Sequence, residues 1–64
     1  MSPADWIRIR RLNRLRERIH DEPSRRISEL AFELGFTNMG NMAGSYRRLF
    51  NERPSETAAR ARAG

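Results

Sequence analysis

At 64 residues the chain is one small domain, able to bury only about 60% of the surface its unfolded form exposes. It has no cysteine and one histidine, His20; this excludes disulfides and thiolate metal sites and is compatible with a reducing cytoplasm. All 13 basic residues are arginine against 8 acids, for a net charge of +5; the guanidinium never loses its charge and its fork matches phosphate, so the balance points to nucleic acid or an anionic surface.

The first predicted element is a helix over 2–20. Ser2 can cap it, Pro3 suits its first position, and Asp5 completes a capping-box pattern. Trp6, Ile9, Leu12, Leu15 and Ile19 recur every three or four residues and define one apolar stripe, with Ile7 beside it. Arg8, Arg10, Arg11, Arg14, Arg16 and Arg18 fall on the other side. Pro23 disfavours helix at Glu22, so the element should end near His20, where a basic side chain complements the helix dipole.

Two helices joined by a tight turn are predicted over 28–50. Ser28 is the expected cap of its first helix, with Ile27 and Phe32 as a hydrophobic staple. Leu30, Ala31 and Leu34 should face inward, and Glu29 and Glu33 outward as surface charges. Gly35 supplies the left-handed residue that ends a helix, and Phe36 turns inward. Thr37 is the expected cap of the next helix, whose core stripe is Met42, Tyr46, Leu49 and Phe50. A short last helix should span 54–62, with a frayed tail. SPADW near the start and RPSET near the end share a proline followed two residues later by an acid, a weak internal repeat.

The spacing Ile27-x-x-Leu30-Ala31-x-x-x-Gly35-Phe36, followed by Tyr46-Arg47-Arg48-x-Phe50 and Pro54-Ser55-Glu56, resembles the second helix-turn-helix of AraC/XylS-type transcription regulators. The first helix, with Arg11-Leu12, is similar to that family's linking helix. The resemblance implies an all-α, homeodomain-like bundle: a long N-terminal helix, a helix-turn-helix and a short C-terminal helix. It implies double-stranded DNA as partner. It also implies that a first helix-turn-helix and an effector domain belong to the rest of the regulator, since such regulators carry two helix-turn-helix units. Met42, Asn51, Leu15, Arg53 and Thr57 depart from the family pattern. Thr57 stands where tyrosine is usual, which is expected to weaken packing of the last helix. Asn51 replaces a glycine but tolerates the left-handed region.

In a helix-turn-helix the second helix enters the major groove. With Met42 on the core side, steps of about 100° per residue place Gly40, Gly44 and Arg47 opposite, and Thr37, Asn41, Ala43 and Arg48 on the flanks. The resemblance implies base contacts at Met39, Gly40, Asn41, Ala43 and Gly44. Of these only Asn41 can pair bidentately, most naturally with adenine; Ala43 or Met39 can touch a thymine methyl. The expected division of labour is therefore phosphate contact by Arg47 and Arg48, helped by Arg25, Arg26 and the Thr37–Asn38 helix start, with little base reading. Gly40 and Gly44 would let the backbone approach the groove, or else pack against another helix.

An enzyme is not expected, because no nucleophile–base pair, metal-ligand cluster or glycine-rich phosphate loop is present. No cofactor and no metal is implied. No apolar run reaches the roughly 20 residues that cross a bilayer, the N-terminus lacks a signal-peptide core, and no membrane partner is expected. The rival reading is a degenerate helix-turn-helix that docks on a protein such as RNA polymerase.

Overall fold

The computed structural model describes residues 2–64, which form four helices and, among the described residues, no strand. These are α1 (Pro3–Asp21), α2 (Ile27–Glu33), α3 (Met39–Phe50) and α4 (Pro54–Ala63). The all-α architecture agrees with the sequence reading. α1 is the spine, and each of the other three helices packs against it.

Ser2 caps α1 as expected: its Oγ accepts from the Asp5 N–H at 3.3 Å and donates to Asp5 Oδ2 at 2.9 Å. Leu12, Leu15 and Ile19 are buried, Ile9 half-buried. The apolar stripe does not stay buried to its N-terminal end, however. Trp6 is 52% exposed and Ile7 is exposed as well. α1 spans 19 residues, about 28 Å at 1.5 Å per residue, and burial is complete only from Leu12 onward. Trp6 instead lies beneath the Arg10 guanidinium, 5.0 Å from its ring centroid.

α2 begins one residue earlier than Ser28, with Arg26 as an N-cap that makes no side-chain capping bond. Its register is fixed by burial: Leu30 and Ala31 are fully buried, while Ile27 and Leu34 pack against the core. Phe32 lies about 200° round from Leu30 and is 63% exposed, so the expected staple with Ile27 does not form. α2 ends in a Schellman turn. The Phe36 N–H donates to Ala31 O, and the Gly35 N–H to Phe32 O, both at 3.0 Å. This turn requires the positive φ of +91° that Gly35 adopts, and it carries Phe36 back against the core.

α3 is capped by Asn38 rather than Thr37. Asn38 Oδ1 accepts from the Asn41 N–H at 3.0 Å, which leaves the Thr37 hydroxyl free. Met42 and Tyr46 are buried and Phe50 half-buried, its ring 4.6 Å from that of Tyr46 in an edge-on contact. Leu49 departs from the expected stripe: it sits on the last turn of α3 with nothing to cover it, and is 41% exposed. Asn51 closes the helix at φ 59°, its N–H donating to Arg47 O at 2.8 Å.

The SPADW and RPSET segments each start a helix with proline at the first position. Arg53 has no acceptor to give, so only the acid half of a capping box forms, with Glu56 Oε1 accepting from the Arg53 N–H at 2.9 Å. Thr57 does not loosen α4. It is buried, 2.8 Å from Tyr46 Oη, and hydrogen-bonded to the Glu52 carboxylate, which is in turn ion-paired with Arg60. A carboxylate can only accept, so the Tyr46 hydroxyl donates to Thr57 and the Thr57 hydroxyl to Glu52. A small hydroxyl thus bolts α4 to α3 where an aromatic was expected. Burial pushes the Tyr46 hydroxyl above its ordinary pKa, with the Thr57 hydrogen bond, Arg16 and Arg60 opposing.

Candidate nucleic-acid interface

α3 is oriented as the periodicity requires. Met42 and Tyr46 point into the core, while Gly40, Asn41, Gly44, Arg47 and Arg48 face solvent. Thr37 and Asn38 are exposed at its start. Ala43 is half-buried, and Met39 packs against the core. Among the candidate base-reading side chains, Asn41 is therefore the exposed group with both a donor and an acceptor.

The arginines divide into two sets. Arg47 and Arg48, with Asn51, line a shallow depression at the C-terminal end of α3. Among the described residues neither has a carboxylate partner, and the same holds for Arg26. Arg25 is different. It binds Glu33 at 2.5 Å, Glu22 at 3.3 Å and Glu29 at 3.7 Å. Arg18, expected on the open side of α1, is half-buried and bridges Glu22 at 2.9 Å and Glu33 at 2.7 Å. Glu33 is thus no plain surface charge: it links α2 to α1 and to the intervening loop. Hydrogen bonds from Arg25 first and Arg18 second hold the Glu33 carboxyl below its ordinary pKa. Those from Arg18 and then Arg25 do the same for Glu22, against desolvation.

Residues 1–60 match a family model described as a helix-turn-helix domain. The chain is 38% identical over 58 residues to the XylDLEGF operon transcriptional activator of Pseudomonas putida, which covers 88% of this chain and 18% of that protein. It is 38% identical over 61 residues to XylDLEGF operon transcriptional activator 1 of the same organism, covering 92% of this chain and 18% of the relative. For activator 2 of that organism the identity is 36% over 58 residues, 88% of this chain and 37% of the relative. The chain belongs to the AraC/XylS-type helix-turn-helix family. No solved structure gives a significant match.

This is a family of DNA-binding transcription-regulator domains and not of enzymes. The chain spans 18% of the length of the first two relatives. Among the described residues no helix is long and apolar enough to cross a membrane, and no group of three or more potential metal ligands is assembled.

The two glycines of α3 are not demanded by the chain itself. A Cβ on Gly44 would meet nothing within 4 Å, and one on Gly40 only Asn38 Oδ1 at 3.6 Å, an ordinary contact. No other helix of the chain packs over them, so the small-residue packing alternative has no partner among the described residues.

The sequence reading missed a groove of about 340 Å³ between the N-terminal half of α1 and the start of α3. Arg8 and Arg11 line one side; Thr37, Asn38, Asn41 and Ser45 line the other. The groove exists because α1 and α3 cross, and no local pattern signals it. The arginines of α1 were visible as a charged face, but not as neighbours of α3.

Proposed function

We propose that this domain binds double-stranded DNA with α3 in the major groove, holding the duplex mainly through its phosphates. Arg47 and Arg48 contact the backbone from α3, and Arg26 contacts it from the start of α2. Asn41 makes the one bidentate base contact. The Thr37–Asn38 segment approaches the strand beside it, and Gly40, Ala43 and Gly44 allow the α3 backbone to lie close to the base edges. Arg25 is held by three carboxylates and orders the loop before α2 rather than gripping DNA. Further sequence reading falls to another helix-turn-helix unit of the regulator, and response to a signal to an effector domain.

The observation that carries this reading is the pairing of two uncompensated arginines with two bare glycines on the solvent side of a buried-Met42, buried-Tyr46 helix. Three arginine–phosphate contacts predict that log affinity falls against log salt with a slope of about −2.7, at about 0.9 per phosphate. Arg47→Ala and Arg48→Ala should each remove about 0.9 of that slope. Duplex binding with no salt dependence would refute the phosphate reading.

The second reading, docking on a protein partner such as RNA polymerase, draws on the exposed Phe32 and Leu49. Loss of polymerase binding in Phe32→Ser, together with no DNA binding by the parent domain, would select it.

A further inference from the structure

The groove between α1 and α3 combines features that the α3 face does not explain. Arg8 and Arg11 lie one turn apart on α1, both exposed. Among the described residues neither has a carboxylate within 4.0 Å, although four other arginines of the chain do. No acidic side chain lines the groove. The Arg11 guanidinium lies over the turn, about 3.6 Å from where a Cβ on Gly35 would stand.

The opposite wall is made of hydrogen-bonding side chains. Ser45 is 9% exposed and lines this groove, its hydroxyl making no hydrogen bond to another described residue. Thr37 was freed when Asn38 took over the cap. Asn41 belongs both to this wall and to the exposed side of α3. A duplex whose base meets Asn41 therefore lies beside this groove.

We propose that this groove holds a backbone phosphate of the duplex bound by α3. Arg8 and Arg11 supply the charge, and the hydroxyls of Thr37 and Ser45 supply further donors. Two planar guanidiniums lining one groove with no acid in it match the charge and the two non-bridging acceptor oxygens of a phosphodiester. The site rests on the DNA-binding reading and adds a contact from α1, outside the helix-turn-helix.

The test is the salt slope of duplex binding by the intact 64-residue chain. A fourth phosphate makes the slope about −3.6 rather than −2.7. The double substitution Arg8→Gln/Arg11→Gln should bring it back to about −2.7, while Arg14→Gln, which breaks an exposed ion pair with Glu17, leaves it unchanged. The side-chain Nε–H resonances of Arg8 and Arg11 should shift on titration with duplex DNA. A thermal melt of each variant guards against misfolding, and Arg8→Gln alone, at an exposed residue, provides a milder form. If Arg47→Ala lowers the slope while the double variant and the two resonances do not move, the groove is empty in the complex and this proposal falls alone. If the parent domain shows no salt-sensitive binding, both proposals fall.

Discussion

Gly44→Ala separates what the fold wants from what the interface wants. Gly44 sits in the middle of the 12-residue α3, where glycine costs about 0.8–1.0 kcal/mol relative to alanine through backbone entropy. The added methyl meets no atom of the chain within 4 Å, so no steric term opposes the gain. In a domain of this size 1 kcal/mol corresponds to about 4–8 °C in Tm, and the variant should melt higher by roughly that amount. If α3 lies with its backbone against the base edges, the same methyl pushes the helix out of the groove. A loss of about 1.4 kcal/mol in binding is a tenfold rise in Kd. The assays are a circular-dichroism melt and fluorescence anisotropy on duplex DNA, in one buffer at one salt concentration. Higher stability with unchanged affinity would refute the close-approach argument and leave Gly44 as a tolerated residue. Lower stability would refute the geometry of α3 itself.

Thr57→Val should destabilise the domain by about 1–3 kcal/mol, because it strands the buried Tyr46 hydroxyl, whereas Thr57→Ser should recover most of the loss; chemical denaturation measures both. Glu22 and Glu33 have folded pKa values below the ordinary 4.5, so their contribution is complete above that value and disappears as pH falls through the folded values. The midpoint of urea unfolding should therefore drop as the pH falls below 4.5, and Glu33→Gln should flatten that drop while lowering stability at neutral pH. Asn41→Ala should cost about 1–3 kcal/mol on a site with the matching adenine and nothing on one where that base pair is changed; equal losses on both would remove Asn41 from base reading.

What could be read from the sequence was the sidedness of each helix and the chemistry of its ends. Leu12, Leu15 and Ile19 are buried, as their spacing requires, and so are Leu30, Ala31, Met42 and Tyr46. Gly35 adopts the positive φ expected of it, and Asn51 replaces glycine in the same conformation. Each failure needed knowledge of what lies opposite a residue. Trp6 and Leu49 are on apolar stripes, but the stripes extend beyond the helices that could cover them. Phe32 pairs with Ile27 only if Ser28 is the cap; with Arg26 as the actual cap, Ile27 lies inside the helix and five residues, about 140° round, from Phe32. Arg18 looked like one more charge on a basic face, and only the fold brings Glu33, fifteen residues away, to it at 2.7 Å. Thr57 looked like a lost aromatic because its partners, Tyr46 and Glu52, approach it only once α4 folds back. In the interface, the exposure of Asn41, Arg47 and Arg48 followed from helical phase. The groove beside Arg8 and Arg11 did not.

The magnitudes also constrain how a regulator can use such a domain. Specific sites are usually favoured over random DNA by about 4–10 kcal/mol. One bidentate asparagine supplies about 1–3 kcal/mol of that, and methyl contacts from the half-buried Ala43 add little. Arginines on phosphates strengthen binding to matched and unmatched sequences alike. This chain alone should therefore separate a matched operator from a scrambled one by less than 100-fold, or about 2.7 kcal/mol. On the proposed reading its larger effect is on total affinity: each phosphate held would keep the duplex near a second, base-reading unit, since two linked sites gain affinity through effective concentration. Discrimination above 100-fold by the 64 residues acting alone would mean that α3 reads bases through groups other than Asn41.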